Sequence, residues 1–184
     1  MKRLAQALAA AAIGTTLALA PLAAFAQAPA APAASGPKKN WTAPKHKLYG
    51  QALVDEQMAK NKDLLSLTLH GVPPGEKDVY TMFAGSYPDR IGNPDDPDDI
   101  DVTKKGITIL DPRWKRVNDK DKKFVVLIPM QDAKGENVGL VVYAFKNPAR
   151  PSGMEEHYLK ESLKLRGELA KKISSYNALF EPAK

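Results

Sequence analysis

The chain predicts an α+β domain, an antiparallel sheet covered by helices, and three stretches carry that prediction. Residues 65–70 alternate, with Leu65, Leu67 and Leu69 on one face and Ser66, Thr68 and His70 on the other, the period of a half-buried strand. Residues 124–130 and 138–145 are almost continuously apolar, and the 132–137 segment between them supplies Gly135 and Asn137 for a tight reversal. That pair predicts a central hairpin with both faces covered, one of them by helices. Residues 154–179 place Tyr158, Leu165, Leu169, Ile173 and Tyr176 at helical spacing, continuing to Phe180 and widened by Leu159 and Leu163, which predicts a long amphipathic helix.

The N-terminus reads as an address. Lys2 and Arg3 precede an Ala/Leu-rich apolar run that ends at Ala24-Phe25-Ala26, the order of a secretory signal peptide over residues 1–26. Gly14, Pro21 and the scarcity of leucine make the run a poor membrane span, so cleavage near Ala26 and a periplasmic location are expected. Residues 27–40 are Ala, Pro, Ser, Gly and Lys, a composition that buries little and predicts a disordered tether. Residues 41–184 are the size of a single domain. With no cysteine in the sequence, disulfides, thiolate metal sites, a lipid anchor and a cysteine nucleophile are all excluded. Without Lys2 and Arg3 the chain keeps 25 basic against 21 acidic residues, scattered and interleaved, with no aromatic-basic platform for nucleic acid.

The remaining elements follow in order. Residues 44–60 carry Leu48, Tyr49, Ala52, Leu53, Val54 and Met58 at helical recurrence. Pro73-Pro74-Gly75 turns the chain into a returning strand at 79–84. Five aspartates between Asp95 and Asp101 raise a calcium loop, but they are paired around proline and lack the alternating ligand spacing with an internal glycine. They read instead as a helix start, with Asp96 as N-cap, Pro97 in the first turn and Asp98 and Asp99 at the positive end of the dipole. Lys104, Lys105 and Gly106 then close a short helix, and residues 107–110 form a short strand before the turn Asp111-Pro112-Arg113-Trp114.

Arg90-Ile91-Gly92, the acidic stretch 95–99 and the Asp132-Ala133-Lys134-Gly135-Glu136-Asn137-Val138-Gly139 hairpin together resemble the single Cache, or PAS-like, extracytoplasmic sensor domains. The resemblance implies an antiparallel five-stranded PAS-like sheet with a long N-terminal and a long C-terminal helix. It implies too a concave face holding a small-molecule ligand, lined here by Tyr80, Met82, Ser86, Arg90, Trp114 and Tyr143. An arginine there could hold a carboxylate or phosphate bidentately while aromatic faces confine the rest. Membrane sensors of this type continue into a transmembrane span, and this sequence stops at Lys184 without a second apolar segment, so a soluble sensory accessory is expected.

Other classes stay open beside that one. A periplasmic interaction module would fill the pocket with its own side chains and use the terminal helices to form a homodimer. Catalysis and haem or metal binding have weaker support, since His46, His70 and His157 show no metal-ligand spacing, and neither a nucleophilic serine elbow nor a phosphate loop is present. No cofactor is expected. His70, ahead of Gly71 at a strand end, could serve as a base or ligand, though alternation alone would make it the half-exposed last member of its strand.

Overall fold

A computed structural model describes residues 37–112, 123–147 and 153–184. Helix α1 (Tyr49–Lys60) leads into strand β1 (Leu64–Gly71) and strand β2 (Thr81–Gly85), then a 3-10 turn at Pro88–Arg90 and helix α2 (Pro97–Lys105). Strands β3 (Ile109–Leu110), β4 (Lys123–Gln131) and β5 (Asn137–Lys146) follow, with helix α3 (Glu155–Ala170) and a last 3-10 turn at Asn177–Phe180. The five strands form one antiparallel sheet in the order β2-β1-β5-β4-β3, so the β4–β5 hairpin is interior, as its unbroken hydrophobicity requires.

Each face of the sheet has its own apolar cluster. Phe124, Val126, Ile128 and Met130 of β4 and Val141, Tyr143 and Phe145 of β5 join Leu67 and Leu69 of β1 under α1 and α3. The intervening residues Val125, Leu127, Leu140 and Ala144 face the other way and pack on Val102 of α2. Side chains of this size each gain about 1.5–3 kcal/mol on burial, so the larger first cluster carries most of the fold's stability.

Strand β1 does not alternate cleanly. Leu64 pairs with Phe145 and Ser66 with Ala144, so Leu65 is an extra residue in a bulge. The bulge puts Leu65 against the α2-side cluster, away from Leu67 and Leu69 with which the simple period groups it. Ser66, Thr68 and His70 keep the expected face, but they are buried at 7%, 7% and 6% exposure where alternation predicted wet positions.

Both terminal helices are shorter than their patterns. The helical pattern of the first begins at residue 44, yet residues 47–49 pair with the C-terminal tail through Tyr49 N–H to the Glu181 carbonyl and Ala183 N–H to the Lys47 carbonyl, both 2.8 Å. Those bonds hold the backbone extended and leave a 12-residue helix. The pattern of the last runs to residue 179, and the helix ends at Ala170. Beyond it the Ile173 carbonyl accepts the Ala133 N–H of the β4–β5 turn at 2.8 Å, and Ser175 Oγ accepts the Ala178 N–H at 3.3 Å. Serines that bond their own backbone compete with helix continuation. The apolar stripe lies on the protein's own sheet, with Tyr158, Leu165 and Leu169 buried and Leu163 exposed.

One surface contact ties α1 to this tail. Glu56 accepts from Lys172 at 2.5 and 2.6 Å and from Lys60, and these hydrogen-bonded ammonium groups lower its carboxyl to about 2. A depressed folded-state value contributes stability above the ordinary carboxylate range and loses it as pH falls toward about 2. Glu56→Gln is expected to lower the urea midpoint slightly at neutral pH and low salt, with the gap closing in acid. Denaturation curves at the two pH values check this.

Candidate functional site

The site is built on the α2 side of the sheet, where the chain returns along the free edge of β2. Gly92 N–H donates to the Met82 carbonyl at 2.8 Å, Met82 N–H to the Asn93 carbonyl at 3.2 Å and Asp95 N–H to the Tyr80 carbonyl at 3.1 Å. Gly92 is needed for this course, since its φ is +88° and a Cβ there would sit 2.1 Å from the Trp41 carbonyl oxygen. The edge segment delivers Asp95 beside His70, whose strand neighbour is Met82. Helix α2 then starts as its residues predict, with the Asp96 N–H held by Asp99 Oδ2 at 3.2 Å, Pro97 in the first turn and Gly106 in the left-handed conformation that ends it.

Between α2 and the sheet lies a pocket of about 160 Å³. Ser66, Thr68 and His70, with Asp99 facing His70, form the polar wall and Val125, Val142 and Ala144 the floor, with the exposed Tyr87 and Arg90 and the half-buried Lys123 around the mouth. Larger hollows exist, of about 310 Å³ between α1 and the residues around Leu169 and about 560 Å³ near His157. The first is lined largely by Lys and Glu, including the ion-paired Glu56, Lys60 and Lys172, and the second by five Lys, Asp and Glu side chains among its eleven residues, whereas the α2-side pocket gathers buried polar groups from β1 on an apolar floor.

His70 is the centre of the polar wall. Its Nδ1 lies 2.7 Å from Asp95 Oδ1 and 4.0 Å from Asp99 Oδ2, and its Nε2 lies 2.7 Å from Thr68 Oγ1. Burial disfavours the charged ring, but the hydrogen bond and charge of Asp95, joined by the charge of Asp99, outweigh it and hold the imidazole pKa above its ordinary value. Burial in turn raises the Asp99 carboxyl despite the facing His70. The Asp95 side chain has no exposed area, and its Oδ2 has no hydrogen-bond partner among the described residues.

Of the residues expected to line a pocket, Arg90 does so, at the mouth and 5.5 Å from the centre of the Tyr87 ring. Met82 is buried beside His70 in the strand register. Ser86 is committed to the sheet, its Oγ accepting the Leu67 N–H at 3.2 Å. Tyr80 lies around the edge of the sheet, its ring 4.9 Å from the Lys104 ammonium. Tyr143 corrects the expectation outright, because it points into the α1 and α3 face with its hydroxyl 3.3 Å from Gln57 Oε1. Trp114 falls outside the described residues. Sequence reasoning assigned Asp95 and Asp99 to the helix start alone and missed their meeting with His70; the available signal was a histidine on the polar face of a strand next to the acidic turn.

These features define the class: an α+β domain whose five-stranded antiparallel sheet carries a small, polar, partly enclosed pocket under a short helix. Among solved structures it is similar to a type II free methionine-R-sulfoxide reductase from Thermoplasma acidophilum, at 15% identity over 67% of this chain and 90% of that one, with a TM-score of 0.41. It is similar too to the GAF domain of a phosphoenolpyruvate-protein phosphotransferase from Acinetobacter, at 13% identity over 70% and 85% with a TM-score of 0.41. A third is the GAF domain of a two-component sensor histidine kinase from Bacillus halodurans, at 14% identity over 70% and 91% with a TM-score of 0.42. No protein-family model matches the sequence and no curated protein matches it, so the Cache family expected from the motifs is not shown. Among the described residues no helix is long and apolar enough to cross a membrane.

Proposed function

We propose that this chain is a small-molecule-binding sensory accessory of the PAS-like, Cache-like kind, exported to the periplasm after cleavage near Ala26 and acting without catalysis. The observation that carries this reading is the burial of Ser66, Thr68 and His70 on a sheet face that an ordinary core would fill with apolar residues. Polar groups so placed are useful when a ligand meets them. A pocket of about 160 Å³ takes a compound of only a few heavy atoms, and Arg90 at the mouth favours one bearing a carboxylate. The short α2 roof is the surface through which occupancy would reach a partner, since Asp99 in its first turn lines the pocket and its Val102 shares an apolar cluster with the floor residues Val125 and Ala144.

Thermal unfolding in the presence of acetate, pyruvate, lactate, glycine and alanine tests the reading. A ligand at about a hundred times its Kd stabilises the folded state by about 2.7 kcal/mol, which shifts the midpoint of a domain this size by roughly 5–10 °C. At least one of these probes is expected to give a shift, and Arg90→Ala is expected to abolish it while leaving the unliganded midpoint in place. No shift with any probe, together with association that grows with protein concentration, would move the assignment to the interaction module.

A further inference from the structure

We propose that His70, Asp95 and Asp99 hold one divalent transition-metal cation, of the Zn²⁺ or Mn²⁺ class, at the buried end of the α2-side pocket. The site shares that pocket but does not depend on an organic ligand binding there.

Three independent elements bring the donors together. His70 comes from the end of β1, Asp95 from the segment pinned along β2 and Asp99 from the first turn of α2, and one donor atom from each lies within 4.8 Å of the others. The Nδ1 separations of 2.7 and 4.0 Å bracket the roughly 3.4 Å edge expected around a tetrahedral centre with bonds of about 2.1 Å.

The second observation is the Asp95 carboxylate. It is wholly buried, it points at His70 through Oδ1, and its Oδ2 lacks a partner among the described residues. A buried carboxylate oxygen left unpaired is costly, and in native proteins such an atom commonly marks a bound water or ion. A proton on Nδ1 accounts for Oδ1 and leaves Oδ2 unanswered. A cation among the three side chains answers both carboxylates at once, offsetting two negative charges in a site where the Asp99 side chain is only 15% exposed.

The imidazole is already oriented as a ligand. Thr68 Oγ1, at 2.7 Å from Nε2, can accept that N–H, which fixes the ring with Nδ1 toward the carboxylates, where a cation would displace the proton Nδ1 shares with Asp95. A mixed nitrogen and oxygen set of three suits zinc, manganese or ferrous iron better than calcium or magnesium, which take six or more oxygens. Three protein ligands leave a coordination position toward the pocket.

The test uses protein stripped with chelator and carrying no affinity tag. Titration calorimetry with ZnCl₂ and MnCl₂ is expected to show one saturable site per chain for at least one ion, with MgCl₂ and CaCl₂ giving none. Asp95→Asn and Asp99→Asn should each weaken it more than tenfold, while the double change of the exposed His46 and His157 to alanine leaves it intact. Should those variants fail to fold, imidazole nitrogen NMR of the unaltered protein decides, because Zn²⁺ must move His70 Nδ1 and leave Nε2 protonated. Absence of a saturable site, equal affinity in the aspartate variants, or signals moving only at His46 and His157 would overturn the proposal. Shifts by the organic probes measured in excess chelator report separately on the small-molecule reading.

Discussion

Gly139→Ala is expected to cost roughly 2–5 kcal/mol of folding stability, the sum of backbone strain and overpacking at a site with no room to relax. Gly139 sits in β5 at φ +138°, opposite Met130, in the stretch where β5 meets the His70 end of β1. A Cβ built there lies 2.5 Å from the His70 carbonyl oxygen and 3.1 Å from Met130 Cε. The methionine tip can move, but the carbonyl belongs to β1 and can retreat only by parting the two strands. Against a total stability of about 5–15 kcal/mol for a domain, the loss is large. Gly135→Ala in the adjacent turn is the matched comparison, since it too has a positive φ but meets nothing within 4 Å. Equilibrium urea denaturation should separate the two by at least roughly 1–2 kcal/mol, with Gly139→Ala the less stable; equal losses would mean that the strand contact is not what makes Gly139 necessary.

Both hairpin glycines were visible in the sequence as a pattern, and their different jobs were not. The Asp132 carboxylate organises the turn locally, accepting the Lys134 and Glu136 N–H groups at 2.9 and 3.0 Å. Such short-range chemistry is readable from residue order, as were the Asp96 cap, Pro97 and Gly106 of α2. Gly139 answers to a carbonyl in β1, across the sheet, and nothing near it in sequence reports that.

The same distinction separates the readable helices from the misread ones. Residues 44–48 and 171–179 carry helical spacing, but the Glu181 carbonyl, which takes the adjoining Tyr49 N–H, and the Ala183 and Ala133 N–H groups claim the backbone there instead, and those partners are far along the chain. On the site side, alternation put His70 on the correct face of β1 and could not foresee the α2 roof that buries it. Tyr143 was misplaced because β5 is apolar on both faces, so its parity with Val141 and Phe145 carried no inside or outside signal. Arg90 reaches the pocket because the 3-10 turn between β2 and α2 carries it there.

Asp95→Ala in metal-free protein is expected to lose about 3–5 kcal/mol, the cost of removing one partner from a buried charged pair. Asp95 is the only hydrogen-bond partner of His70 Nδ1 among the described residues, and no exposed area lets water replace its carboxylate. The methyl left behind offers the ring nothing, and the Thr68 contact at Nε2 cannot substitute because it engages the opposite nitrogen. Asp95→Asn keeps an oxygen in place and should cost less, about 1–3 kcal/mol. Asp89→Ala removes an acidic side chain from the exposed turn nearby and should stay within about 0.5 kcal/mol of the parent. Urea midpoints in excess chelator should therefore fall furthest for Asp95→Ala, less for Asp95→Asn and least for Asp89→Ala, an order that follows from burial and pairing alone. If Asp95→Ala behaved like Asp89→Ala, the His70 contact would carry no energy, and the polar wall of the pocket would lose the anchor that orients it.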